Sequence, residues 1–267
     1  MTTEQRPAPA LGPSLFKPGQ ALPILVEDRQ FAIINKPPGL AAHPGRTTSD
    51  SVEERLSPQK RGGPWLAHRL DSDTSGCLLI AKRKTALLAA QQAFARTTVH
   101  SSGSQVSKTY WAVTDGIPEG PEGVLNHAIK RVALGRHWWM APCQPHDEGA
   151  LEARTSWRLM GYDHSSHTAL LQLELHTGRT HQARLACLTL GCPIKGDGVY
   201  GIQGVLGTWE KGQARAQPTL QGGMMLHARS LELTLPSLEK SLLAVAPLPP
   251  AMARHVQAMA PVPGTGT

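Results

Sequence analysis

The chain has 267 residues, 40% of them hydrophobic, enough for a real core and for one large domain or two small ones. A formal net charge of +7 favours a polyanionic partner, because Lys and Arg that replace condensed counterions gain affinity for phosphates, although charge alone leaves a merely solvated basic surface equally open. No apolar run reaches the roughly 18 residues of a membrane span, and the four cysteines form no CxxC pair, which speaks for no membrane, no metal site and a cytoplasmic compartment that keeps thiols reduced.

In chain order, residues 1–20 read as a disordered Pro/Ala tail and residues 21–246 as one domain without linker or repeat. Residues 247–267, with APLPP and PVPGTGT, read as a second, flexible tail. FAIIN (Phe31–Asn35) is a short apolar strand, stopped by Lys36-Pro37-Pro38-Gly39, whose prolines cannot continue a ladder. The charged stretch His68-Arg69-Leu70-Asp71 leads through a tight polar turn, Thr74-Ser75-Gly76, into the apolar strand GCLLIAK (Gly76–Lys82). A helix is expected over Thr85–Thr97, with Thr85 as its N-cap.

KTYWAVT (Lys108–Thr114) alternates as a half-buried strand does, with Tyr110, Ala112 and Thr114 on one face. LLQLELH (Leu170–His176) and LELTLP (Leu231–Pro236) repeat that alternation with leucines. Between them RTHQARLACLTLG reads as a helix with His181, Arg184, Leu185 and Leu188 on one face and a stop at Gly191. Strands outnumber helices and do not alternate strictly with them. That points to an α+β fold on a mixed, largely antiparallel sheet with flanking helices. No GxGxxG opens a helix after a strand and no GxxxxGK[ST] occurs, so dinucleotide and nucleoside-triphosphate binding lack their usual supports.

From the residues alone, Asp71 is a carboxylate in a loop before a strand, where a turn-capping role and a catalytic one are both open. Arg184, on the apolar face of its helix, needs a buried acid, and Asp71 is a candidate partner. Tyr110 reads as core or as a catalytic group. Arg179, Lys195 and Lys82-Arg83-Lys84 offer cations to phosphates, while His137-Trp138-Trp139-Met140 either packs or stacks on a base.

Together these segments resemble a known family. HRLDSDTSG is similar to the HRLDxxTSG signature of RluA-type RNA pseudouridine synthases, and INKPPGLAAHPG to that family's NKPxG opening. KTYWAV, TGRTHQAR, GCPIKGDGVYG and LHARSLEL follow in the family order, so the resemblance covers roughly Ile24 to Leu235. It implies a single catalytic domain with a central basic cleft, and a cofactor-independent isomerisation of uridine within rRNA or tRNA. The N1–C1′ bond breaks, the uracil turns, and C5 bonds to C1′. Nothing in the sequence suggests an obligate interface, so a monomer is expected.

The resemblance implies that Asp71 is the catalytic carboxylate, that Tyr110 stacks on the target base, and that Arg184 pairs with the carboxylate. It also implies that Arg69 fills the space left by the flipped nucleotide. Asp73 falls on a variable position of the signature and reads as a loop residue. Ala183 and Ala186-Cys187 depart from the family's usual pattern without touching that set. The 67 residues before His68 are expected to be too few for an additional S4-like domain. The rival readings are a catalytically silent RNA-binding protein on the same fold, and a glycoside or nucleoside hydrolase using Asp71 and Asp73.

Overall fold

The computed structural model describes residues 15–45, 49–60, 62–95, 103–135, 137–206 and 223–262. Strands β1 (Ile24–Glu27) and β2 (Phe31–Lys36) lead to a one-turn helix α1 (Val52–Arg55), the short β3 (Trp65–Leu66), β4 (Ser75–Ala81) and helix α2 (Lys84–Ala95). Then come β5 (Gln105–Asp115), β6 (Glu122–Leu134), β7 (His137–Cys143), β8 (Leu151–Asp163), β9 (Thr168–Leu175) and helix α3 (Gln182–Thr189). Strands β10 (Leu226–Thr234) and β11 (Leu242–Val245), helix α4 (Pro250–Ala258) and β12 (Ala260–Pro261) close the chain.

Among the described residues all twelve strands join one sheet, whose main path runs β1-β2-β4-β10-β5-β9-β8-β6-β7. Every pairing is antiparallel except a short parallel one between β4 and β10, so the sheet is mixed and the fold is α+β. That parallel contact explains Gly76. An added Cβ would lie 2.3 Å from the Ala228 carbonyl oxygen, and φ is +107°, so only glycine lets the two strands meet here. Ser75 and Gly76 therefore open β4 rather than finish a turn, and Ser75 Oγ hydrogen-bonds His227 Nδ1 at 2.8 Å.

The continuous apolar run of β4 is buried along its whole length because both sheet faces are covered there. Ala32, Ile34, Leu78 and Ile80 face one core with Leu70, Tyr110, Ala183 and Cys187. Phe31, Ile33, Cys77 and Leu79 face another, closed by Ala86, Leu87, Ala90 and Ala93 of α2. A third core joins Ile129, Trp139 and Met140 to Leu185, Val199 and Tyr200. Helix α3 thus lies between two cores, and Gln182 through Cys187 are all buried, more than the single face expected from its pattern.

Both ends depart from the tails read in the sequence. Residues 1–14 and 263–267 lie outside the described residues, as do the expected helix positions 96 and 97. Leu15 and Phe16 are buried and the Lys17 N–H donates to the Arg55 carbonyl, so packing starts before residue 21. After residue 247 the chain forms α4, with Met252 buried in the core, and β12 pairs with β8. Pro250 sits in the first turn of α4, where a missing N–H costs nothing. Helix α2 begins at Lys84, so Thr85 lies inside it rather than capping it. The strands β6, β7 and β8 were not foreseen as a unit.

Candidate active site

The loop that carries Asp71 is fixed from behind by a lysine. Lys36, wholly buried at the end of β2, donates from Nζ to the carbonyls of Pro37 (2.9 Å), Leu40 (2.6 Å) and Ser72 (2.8 Å). The Gly39 N–H also donates to Ser72 O, and the Thr74 N–H to Asp71 O, closing a tight turn. Burial lowers the Lys36 pKa to about 8, against the pull of Asp73 and Asp71. His68 anchors the other end: its Nε2 accepts from the Leu79 N–H at 3.0 Å. Burial, then nearby Lys108, pushes the His68 pKa down to about 3, so it is a neutral structural group.

Asp71 opens into a cavity of about 440 Å³, a volume suited to a nucleotide-sized ligand. The cavity is lined by Asp71, Tyr110 from β5, Phe94 from α2, and the loop and first turn of α3 from Gly178 to Arg184. Among the described residues four cationic side chains line it, Arg69, Lys108, Arg179 and Arg184, against one carboxylate, Asp71. Asp73 is not among the lining residues.

Arg184 is shared between two acids. Its Nη1 donates to Asp71 Oδ2 at 3.2 Å, while Nε and Nη2 form a bidentate pair with Asp197 at 2.7 Å each. The acid that Arg184 requires is therefore both the one expected and a second, closer one. Asp197 is fully buried and also accepts the Val199 and Tyr200 N–H groups. Burial works against both charges, yet the paired hydrogen bonds hold Asp197 below the usual carboxylate range and Arg184 above its ordinary value.

His181 stands at the N-cap of α3 with φ 56°, a left-handed conformation uncommon for a side-chain-bearing residue. Its Nδ1 meets the Tyr200 hydroxyl at 2.8 Å, and that hydroxyl accepts the Met140 N–H at 2.9 Å. The other ring nitrogen, Nε2, stands 3.9 Å from Asp71 Oδ2. Burial and the charge of Arg184 lower the His181 pKa to about 4.

Gln182, also buried, uses its whole amide. It donates to Arg154 O and Thr155 Oγ1 and accepts from Thr177 Oγ1 and the Arg179 N–H, tying the loop before α3 to β8. Sequence reasoning gave no role to Asp197, Tyr200, Gln182 or Lys108, although each stands inside a motif that was singled out.

The structure brings Asp71, Tyr110, Arg184, Arg69 and Arg179 to one cavity, the last two exposed at its rim. Lys195 is not there: it lies outside the lining and pairs with Asp115 at 3.0 Å. Lys82 is likewise occupied, by Glu27 at 2.6 Å. The Trp pair divides. Trp139 is core, 3% exposed, while Trp138 is 39% exposed, stacked on His181 and lying under the Arg131 guanidinium.

Comparison with known proteins meets the same residues. The sequence model of the RNA pseudouridylate synthase family matches residues 30–189, a span that holds Asp71, Tyr110 and Arg184. An uncharacterized RNA pseudouridine synthase of Zymomonas mobilis is 35% identical over 233 residues, covering 85% of this chain and 94% of that one. The ribosomal large subunit pseudouridine synthase D of Nitrosomonas europaea is 35% identical over 256 residues, 91% of this chain, which spans only 66% of that relative. Among solved structures, human RNA Pseudouridylate Synthase Domain Containing 4 superposes with a TM-score of 0.65 at 27% identity, over 88% of this chain and 92% of that one. Sheet, motif order and matched span agree, and the chain belongs to the RNA pseudouridylate synthase family.

Proposed function

We propose that this chain isomerises particular uridines to pseudouridine in stem-loops of ribosomal or transfer RNA, as a cytoplasmic monomer that needs neither metal nor cofactor. The observation that carries the reading is that Asp71 is the one carboxylate on the cavity lining among the described residues, held at 3.2 Å by Arg184. Cleavage of the N1–C1′ bond develops positive charge on the sugar, which one carboxylate can stabilise or trap. A hydrolase would want a second carboxylate to position water, and Asp73 is not on the lining while Asp197 is locked to Arg184.

A stacked uridine hides C1′, so the nucleotide has to be extruded, at a cost of a few kcal/mol. Tyr110 offers an aromatic surface to the base, stacking being worth roughly 1–3 kcal/mol. Its phenol stays protonated, since burial and then Asp71 raise its pKa. Arg69 and Arg179 at the rim can meet the phosphates or replace the extruded base. The Nitrosomonas relative, named for the large ribosomal subunit, makes unmodified ribosomal RNA the first substrate to try.

The test is to incubate the protein with unmodified ribosomal and transfer RNA and to map pseudouridine chemically. New pseudouridine at discrete sites is expected. Asp71→Asn should lower turnover by at least about 10⁴-fold, the scale seen when a catalytic carboxylate is lost, with RNA binding retained. Release of free uracil instead would support hydrolysis and sink the isomerase reading.

A further inference from the structure

The buried cations around the cavity are not alike. Arg184 directs its donors to Asp71 and Asp197, and Lys36 gives its three N–H groups to three carbonyls. Lys108 is 8% exposed, yet among the described residues its Nζ makes one long hydrogen bond, 3.4 Å, to the Thr177 carbonyl. It also sits 5.6 Å from the centre of the Phe94 ring. Among the described residues no carboxylate comes within 4.0 Å of it. Lys108 precedes Tyr110 by two positions on β5, so both side chains leave the same face of the strand, and both line the cavity. A buried ammonium with unused donors and no counter-ion is costly unless a ligand pairs it.

We propose that Lys108 is a catalytic residue: its ammonium hydrogen-bonds a carbonyl oxygen of the uracil stacked on Tyr110 and stabilises the negative charge the ring takes when the N1–C1′ bond breaks. This rests on the reading that the cavity turns uridine into pseudouridine. In that step the bonding pair goes to N1, giving a uracil monoanion with charge spread over N1, O2 and O4. The Asp71 carboxylate faces the positive charge left at C1′. After the ring turns, the anion's electron pair forms the C5–C1′ bond, and the proton then held on C5 passes through solvent to N1, so nothing is gained or lost overall. Lys108 stays an ammonium throughout. Its place on the lining between Phe94 and Tyr110, and not at the exposed rim with Arg69 and Arg179, suits a base better than a phosphate.

Burial lowers the Lys108 pKa to about 8, and the charged form is the working one, so the rate should fall as pH rises through about 8. The groups that face it leave that limb readable. His68 titrates near 3 and His181 near 4, Tyr110 lies above its ordinary range, and Arg179, Arg184 and Asp71 complete the surroundings, while Phe94 and Ala95 of α2 do not titrate. Lys36, behind the Asp71 loop, also has a pKa of about 8, and a variant has to separate the two.

The experiment measures single-turnover rate and RNA dissociation constant for wild type, Lys108→Met and Lys108→Arg between pH 6.5 and 9.5 on an RNA the wild type modifies. Lys108→Met should lose about 100-fold or more in rate, the effect of removing one stabilising donor, with the dissociation constant within about threefold. Lys108→Arg should stay within about tenfold of wild type and lack the fall above pH 8. Circular dichroism checks that the Met variant folds, and the pH profile of Lys108→Arg decides the matter independently of it. Much weaker RNA binding with an unchanged saturated rate would make Lys108 a phosphate contact and overturn the assignment. A limb that persists in Lys108→Arg would give it to Lys36 and do the same. Normal turnover by Lys108→Met overturns this assignment alone, whereas a wild type that makes no pseudouridine in any RNA overturns the reading beneath it.

Discussion

On one side of the cavity Arg184 lies between two carboxylates, 3.2 Å from Asp71 and 2.7 Å from Asp197, and the network continues through Tyr200 to His181. On the other side Tyr110 and Lys108 share a strand face, and among the described residues the lysine has one long hydrogen bond, to a carbonyl, and lies over the Phe94 ring. The first wall is complete before any ligand arrives, so its geometry is set by the protein. The second carries a cation without a carboxylate partner among the described residues. Catalysis of a charge-separating step needs both: a carboxylate that does not wander and a cation that is not already neutralised.

Four measurements bear on that contrast. The largest effect is expected from Asp197→Asn, which leaves Arg184 buried with one acid instead of two. Breaking a buried pair costs about 3–5 kcal/mol, and the melting temperature should drop by roughly 10 °C. A variant that melts within about 2 °C of wild type would dissolve the distinction between the walls.

Acid comes next. His68, His181 and His227 have pKa values of about 3, 4 and 4 in the fold, lowered first by burial, against about 6.5 in an unfolded chain. The folded state therefore binds fewer protons, and the stability these groups support is complete above pH 6.5 and lost as pH falls toward 4. Thermal melts at pH 7.5 and pH 5 should differ by several degrees, with the acid sample lower. Equal melts would mean that the imidazoles titrate freely.

Lys108→Met should move stability the other way from Asp197→Asn. Exchanging an uncompensated buried charge for an apolar chain is neutral or favourable, so the melt should be unchanged or up to about 5 °C higher. A large loss would show that the ammonium is structural. The smallest effect belongs to Tyr200→Phe, which removes the acceptor of the Met140 N–H and the hydroxyl at His181 Nδ1. It should cost about 1 kcal/mol and lower turnover less than tenfold, read as a kcat change with KM kept.

Much of this was legible in the sequence where apolar residues set the pattern. The strands at Phe31, Gly76, Lys108 and Leu170 and the helix before Gly191 stand near their expected bounds, while the strand expected from Leu231 begins earlier, at Leu226. Strand β6 was not legible, because of its thirteen residues only Ala128 and Ile129 are buried and the rest carry Glu, Asn, His, Lys and Arg among the apolar positions. Strand β8 does alternate, with Ala153, Thr155, Trp157 and Leu159 inward, but charged neighbours mask the period. The closing helix hid behind its prolines. Asp71, Tyr110 and Arg184 could be singled out because motifs carry them, and they line one cavity. Asp197 and Gln182 could not be given their roles, since a buried polar group is defined by partners that come from distant strands. Lys195 and Lys108 show the same limit, each cation being assigned its work by its surroundings and not by its motif.

Strand β5 also acts as a ruler. Successive side chains on one face of a strand stand roughly 7 Å apart, and the peptide bonds hold that interval regardless of what the side chains are. Lys108 and Tyr110 are one such interval, with Thr109 turned to the other face. Substitution can therefore retune the ring or the cation separately, but their separation is locked into the backbone. A single inserted residue would rotate one of them through the sheet. The distance between an aromatic surface and a charge beside it is in this way heritable as a spacing, and the spacing is the part of the site that point mutation cannot adjust.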